Sequence, residues 1–323
     1  MKPIRAVKAR PVQQTLVIPR ARVRQPLRSS LLPSRPLPPS SSSIPCPIGG
    51  HITPRRFQHP VMDSGFVDAP LPMDKISLSS VQESTGRIGI PERNQMFVVL
   101  LSAGSFNPPT YMHLRLFELA KDALEAQGYI VIGGYMSPAN DAYRKKDLLP
   151  SIHRVHLCEL ACRTSSFVMV DTWEAKQNSY QRTLTVLSRI QSSLCHSGLI
   201  RKESLKVMLL CGSDLLESFA TPGVWMLDQV RTICRDFGIV CIRREGKDIE
   251  KIISSDEILQ ENKNNIFSVD EIVPNQISST RVRDCIRRGL SVKYLTPDEV
   301  IDYIKDQKLY VARRNQESGF LMG

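Results

Sequence analysis

The sequence predicts a doubly wound α/β domain, a parallel sheet covered on both faces by helices, on three observations. Beyond residue 95, short runs rich in Val, Ile and Leu alternate with amphipathic stretches. The runs are apolar throughout rather than at every second position, the pattern of strands buried on both faces. Glycine, histidine and arginine gather just after several of these runs, and a sheet of this class takes its ligands beyond the carboxyl ends of its strands.

The first strand is MFVVLLS (96–102), followed at once by AGSFNPPTYMH (103–113). Gly104 permits a sharp turn there and a close approach by whatever lies above the sheet. Pro108 and Pro109 set the direction of the chain. Thr110 is placed to cap a helix in which Leu116, Leu119, Ala120, Ala123 and Leu124 share one face. His113 falls in the first turn of that helix, beside backbone N–H groups without intrahelical partners, a setting suited to an anion. The junction carries neither the GxGxxG of dinucleotide-binding folds nor the GxxxxGK[ST] of P-loops.

The second strand, YIVIGGYMS (129–137), leads into SPANDAYRKKDLLP (137–150), where Arg144, Lys145 and Lys146 form a basic cluster on a loop. The helical stretch SIHRVHLCELAC follows, with His153, His156, Cys158 and Cys162 on a mainly apolar face; they read as packing and surface residues rather than as a metal site. FVMVD (167–171) is the third strand, and Trp173 and Glu174 after it read as structural residues of a cleft wall. KVMLLCG (206–212), GIVCIRR (238–244) and NIFSVDEIV (265–273) complete the strands. After the last comes QISSTRVRDCIRRG (276–289), in which Ser278, Ser279 and Thr280 open a second amphipathic helix. Arg281 and Arg283 in its first turn oppose the helix dipole and repel each other unless an anion lies there. Two helix starts, one with a histidine and one with arginines, suit a polyphosphate.

The 323 residues carry a net charge of +11, yet the charge is unevenly spread. Eleven of the 43 Lys and Arg precede Asp63 and none of the 32 Asp and Glu does, which leaves 32 bases against 32 acids over the rest. The body is neutral, so a specific nucleic-acid surface is not expected. Residues 1–95 form a Pro-, Ser- and Arg-rich extension that cannot bury enough surface to offset the entropy of ordering, and they are expected to be mostly disordered. The domain is assigned to 96–311, with a disordered tail at 312–323. The first 60 residues have the composition of a transit peptide, with a solvated basic tail or an upstream extension of a chain starting at Met62 as alternatives. No run approaches a membrane span, and the eight scattered cysteines resemble neither a disulfide framework nor a zinc knuckle.

The motifs GSFNPPTYMHLRLFELAKDAL, SPANDAYRKK, VDTWE, LLCGSDLLESF, PGVW and NQISSTRVR occur in order across residues 96–310. Together they resemble the eukaryotic, most closely the plant, nicotinamide/nicotinate mononucleotide adenylyltransferases, members of the nucleotidylyltransferase superfamily with an HxGH-like signature and a Rossmann-like fold. The resemblance implies adenylyl transfer from ATP to nicotinamide mononucleotide or nicotinate mononucleotide, giving NAD or its deamido form and diphosphate. Gly104, Ser105 and Phe106 would line the nucleotide cleft, with Thr110 and Tyr143 beside them. His113 would hold the ATP phosphates, assisted by Lys145. Gly212 and Asp214 would contact the ribose, and Arg244 and Asn275 would make further nucleotide contacts. Ser278, Thr280, Arg281 and Arg283 would form the phosphate-binding helix start.

Trp225 would stack on the pyridine ring, with Tyr180 and Thr183 completing its pocket. Two positions depart from the family pattern: Thr110 stands where the signature has its first histidine, and Tyr180 stands where some relatives have a second tryptophan. The resemblance further implies Mg²⁺ held mainly by phosphates with no protein ligand, a homo-oligomer, and a place in nucleus or cytoplasm. The extension keeps plastid or mitochondrion as the alternative.

Overall fold

The structure, a computed structural model, describes residues 67–77, 79 and 95–311 apart from 144, 197, 199 and 245. Residues 1–66 and 312–323 lie outside the described residues, as do Arg144 and Cys46, so the expectations placed on them are not addressed by it.

Each of the six apolar runs forms a strand: β1 (Phe97–Gly104), β2 (Ile130–Pro138), β3 (Val168–Val170), β4 (Leu205–Gly212), β5 (Ile239–Ile242) and β6 (Ile266–Val269). They make one parallel sheet in the order β3-β2-β1-β4-β5-β6. Strand order reverses between β1 and β4, which opens a crevice at their carboxyl ends. Helices cover both faces: α1 (Tyr111–Glu125), α2 (Ser151–Cys162), α3 (Trp173–Lys176), α4 (Thr183–His196), α5 (Ser213–Ser218), α6 (Leu227–Thr232), α7 (Ile249–Ser254), α8 (Glu257–Glu261), α9 (Ser279–Arg287) and α10 (Asp298–Asp306).

Alternation along each strand divides the core. Val99, Leu101, Val207, Leu209 and Ile239 pack with Val186, Leu187 and Ile190 of α4. Val98, Leu100, Met208, Leu210 and Val240 pack with Leu116, Phe117, Ala120 and Leu124 of α1 on the opposite face. Both faces are covered, which is why the strands read as unbroken apolar runs. Gly134 lets α1 lie close to β2, since a Cβ there would meet the Phe117 ring at 2.8 Å. Three runs give shorter strands than their length suggests. β3 ends at Val170, although the Asp171 N–H still donates to the Met136 carbonyl of β2 (2.9 Å) while its carboxylate pairs with Arg189 (2.7 Å); β5 stops before Arg243 and Arg244 and β6 before Asp270.

The boundary expected at residue 95 is corrected by residues 67–77, which pack on the domain. Ala69 and Ile76 are buried in the same core as α4. The Val67 backbone exchanges two hydrogen bonds with the Gln177 side chain (2.9 Å each), and Lys75 Nζ donates to the carbonyl of Cys162 (2.7 Å). Tyr135 donates its hydroxyl proton to the Pro72 carbonyl (2.7 Å). Apolar side chains spaced among the prolines let this short piece repay its ordering by burial.

Candidate active site

The turn after β1 is fixed from outside by side chains far away in sequence. Arg154 of α2 is fully buried and donates to the carbonyls of Leu149 (2.7 Å), Ser105 (3.1 Å) and Ala139 (2.7 Å). Arg283 of α9 donates to the Asn107 carbonyl (2.7 Å), Ser279 to that of Pro108 (2.7 Å) and Thr296 to that of Pro109 (2.8 Å). Asn107 itself donates to the Asp147 carbonyl (2.8 Å) and accepts from the Tyr310 hydroxyl (2.8 Å). These ties hold Phe106 at a φ of 42°, a left-handed conformation that costs a non-glycine residue about 1–3 kcal/mol. The buried Phe106 ring meets His113 edge-on, with centroids 5.3 Å apart.

Thr110 is the N-cap of α1, and His113 is the third helical residue. The Thr110 N–H donates to His113 Nδ1 (3.0 Å), and the Thr110 hydroxyl lies 2.8 Å from the same nitrogen. A nitrogen that accepts a backbone N–H carries no proton, so neutral His113 carries its proton on Nε2. Burial, followed by the Arg244 charge, lowers the His113 pKa to about 4. The imidazole is therefore neutral at pH 7 and a single-proton donor. The helix backbone is less open than expected, because the Tyr111 N–H is taken by the Leu295 carbonyl (3.1 Å) and the His113 N–H by the Thr110 carbonyl (3.0 Å). What this helix start offers to the crevice is therefore side chains more than free backbone N–H groups.

The crevice holds a cavity of about 340 Å³. Gly104, Ser105, Phe106 and His113 line it from the first junction, Tyr143 and Lys145 from the loop after β2, and Gly212, Asp214 and Arg244 from the ends of β4 and β5. Tyr180, Thr183 and Trp225 form its far wall. Tyr143 and Tyr180 stack, with centroids 5.9 Å apart and planes 23° from parallel. Trp225 is half-buried, sets its ring edge-on to Phe219 (4.7 Å) and donates from Nε1 to Ser218 (3.0 Å). A neighbouring cavity of about 370 Å³ is lined by Asn275, Ser278 and Arg281 and shares Asp214 and Arg244 with the first. Those two form a salt bridge of 2.7 Å at the boundary. Ser278 caps α9, accepting from the Arg281 N–H (3.3 Å), and the Arg281 guanidinium lies against Gln276.

Three predicted residues line neither cavity. Thr110 is buried and acts on the site through His113, and Thr280 is exposed beside Arg283 (3.5 Å). Arg283 is buried with its guanidinium on the Asn107 carbonyl, so here it ties down the turn from behind rather than lining either cavity. A larger hollow of about 540 Å³ between α9 and α10 contains none of the predicted site residues. Arg154 was missed by sequence reasoning, although an arginine on the apolar face with Leu157, Cys158 and Ala161 is a legible signal. His153 bonds to Tyr303 (2.9 Å) and Cys158 and Cys162 are buried, consistent with packing roles.

A family profile described as cytidylyltransferase-like matches residues 101–285. The chain is 64% identical over 244 residues to the nicotinamide/nicotinic acid mononucleotide adenylyltransferase of Oryza sativa subsp. japonica, covering 76% of this chain and 95% of that one. It is 60% identical over 244 residues to the Arabidopsis thaliana protein of the same name, covering 76% and 98%. The chain belongs to the nicotinamide/nicotinic acid mononucleotide adenylyltransferases. A Bos taurus member is 41% identical over 256 residues, covering 68% of this chain and 91% of its own. As a member of this family the chain is an enzyme, a nucleotidylyltransferase on a Rossmann-like sheet, and its crevice is where the sheet class places its ligand.

Proposed function

We propose that this enzyme transfers the adenylyl group of ATP to nicotinamide mononucleotide and to nicotinate mononucleotide, releasing diphosphate and forming NAD or its deamido form, the last step of NAD synthesis. The observation that carries the reading is the pair of adjoining cavities at the strand-order reversal, with His113, Lys145 and Arg281 around them and the Tyr180–Trp225 wall at one end. The triphosphate lies along the donors, and the pyridine lies against the aromatic wall.

The mononucleotide's 5′-phosphate attacks the α-phosphorus in line, and diphosphate leaves from the opposite side. A phosphate is already anionic at pH 7, so the nucleophile needs no general base. What the chain supplies is position and charge neutralisation. His113 donates from Nε2, Lys145 and Arg281 bring full charges, and Arg283 keeps the 105–110 turn in place through Asn107. The Asp214–Arg244 pair opens so that the carboxylate can accept from a ribose hydroxyl while the guanidinium turns to the nucleotide.

Among the described residues no three metal-ligating side chains gather, and the carboxylates of Glu174 and Asp214 in the cleft are held by Ser137 and Arg244. These residues fit a Mg²⁺ carried by the triphosphate and water rather than by protein ligands. When bound, the cation neutralises charge on the phosphate oxygens.

The test is a coupled assay for NAD formation from ATP and each mononucleotide, with CTP as the alternative donor that the cytidylyltransferase-like profile suggests. Chirally labelled α-thio-ATP decides the stereochemistry: a single in-line attack inverts the α-phosphorus, and retention would refute it. For location, no helix among the described residues is long and apolar enough to cross a membrane. We favour nucleus or cytoplasm over plastid or mitochondrion, to be decided by mapping the N-terminus of the native protein.

A further inference from the structure

Glu174 is a buried carboxyl in the wall of the same cavity that holds Tyr180, Thr183 and Trp225. One oxygen accepts a hydrogen bond from Ser137 (2.7 Å), itself fully buried at the end of β2. The other oxygen has no hydrogen-bond partner among the described residues. The backbone that carries it is held in place, because Asn140 donates to the carbonyls of Glu174 (3.4 Å), Ala175 (3.3 Å) and Gln177, and Gln177 is bonded to Val67. An amide side chain would hold Ser137 equally well without the cost of burying a charge, so packing alone does not account for an acid here.

The charged and titratable groups around it come from several elements. Asp171 is ion-paired with Arg189, and Lys176 lies two residues on from Glu174. Arg154 approaches from α2, engaged with carbonyls and Asp141. Lys145, His113, Tyr143 and Tyr180 share the cavity. Burial raises the Glu174 pKa most and Asp171 adds to it, while the Ser137 hydroxyl and Arg154 oppose them, for a value of about 7.

We propose that Glu174 sets the choice between the amide and acid forms of the pyridine mononucleotide. Ionised, its second oxygen accepts a hydrogen bond from a carboxamide N–H and repels a pyridine carboxylate. Protonated, it donates to that carboxylate. The inference rests on the reading of this cavity as the mononucleotide site.

The test measures kcat/KM for nicotinamide mononucleotide and nicotinate mononucleotide from pH 6 to 8 at saturating Mg-ATP, in wild type and Glu174→Gln. The 5′-phosphate titrates near pH 6 in both substrates and cancels in their ratio. For a group titrating near 7, the ionised fraction goes from roughly 10% to roughly 90% over this range, so full selection changes the amide-to-acid ratio by about 100-fold. We expect the wild-type ratio to rise at least about tenfold with pH and the Gln variant to vary by less than about twofold. Thermal unfolding of both proteins establishes that the variant is folded. A purely structural Glu174 would lower both substrates together at every pH, and that result overturns the proposal. So does a flat wild-type ratio, or a slope retained in the variant. An enzyme that adenylylates neither mononucleotide overturns the functional reading and this inference with it, whereas both substrates turning over without the pH shift removes the inference alone.

Discussion

Replacing His113 by alanine tests the site most directly. Nδ1 is committed to the Thr110 N–H, so Nε2–H is the proton the ring presents to the cleft. Loss of one preorganised donor to developing phosphate charge costs roughly 3–4 kcal/mol, or about 10²–10³ in kcat. KM for either substrate should move far less, because the phosphates keep Lys145 and Arg281. Stability supplies a second, independent reading. The folded-state pKa lies below the ordinary 6.5, at about 4, so the folded chain binds this proton more weakly than the unfolded chain does. Stability is therefore intact above pH 6.5 and falls as pH drops towards 4, by up to about 3 kcal/mol from this residue. His113→Ala lacks that loss, so the difference in denaturation midpoint between the two proteins should shift in the variant's favour between pH 6.5 and 4. Steady-state kinetics at pH 7.5 and urea titrations across the acid range check both. Near-normal kcat in the variant, or a midpoint difference independent of pH, would refute the reasoning.

Trp225→Ala should raise the mononucleotide KM by about tenfold with kcat within about threefold, since an aromatic face worth about 0.5–1.5 kcal/mol beyond its area selects the ring without touching phosphorus; an unchanged KM would make Trp225 a packing residue. Arg283→Met should lower stability by about 1–3 kcal/mol in urea denaturation through the lost bond to the Asn107 carbonyl. Its kcat should fall while its KM for ATP changes little, as befits a residue that holds the turn and does not touch phosphate. Ile76→Ala, which empties a buried position seated on Gly133, should cost about 2–4 kcal/mol of stability with the kinetic constants unchanged.

The sheet was legible because a strand buried on both faces needs a largely apolar run, as in FVVLLS and VMLLC, while the edge strand β6, half-exposed at IFSV, gave a weaker pattern. Helix starts were legible at Thr110 and Ser278 for a similarly local reason: a capping side chain bonds within its own first turn. Strand ends were less so, since the carboxylate at the end of the third run, Asp171, is engaged by a partner 18 residues away. The 67–77 segment was hidden by a basic, proline-rich composition, which describes the extension on average but not the few apolar residues that reach the core. Motifs pointed to most of the residues that line the two cavities, but not to the place of Arg283 behind the turn. Its neighbours in sequence are a helix start, whereas its partner in space is the Asn107 carbonyl, 176 residues distant.

The sequence by itself determined the alternation of strands and helices, the neutral body, and which junctions carry histidine, lysine and arginine. These follow from periodicity and from interactions within a few residues of each other. Tertiary structure decided that Arg281 faces a cavity while Arg283 turns inward, that burial keeps the His113 imidazole neutral, and that Glu174 is buried in the cleft wall with its pKa raised. Burial and long-range hydrogen bonds set the charge and aim of a side chain, and neither exists until distant segments have packed.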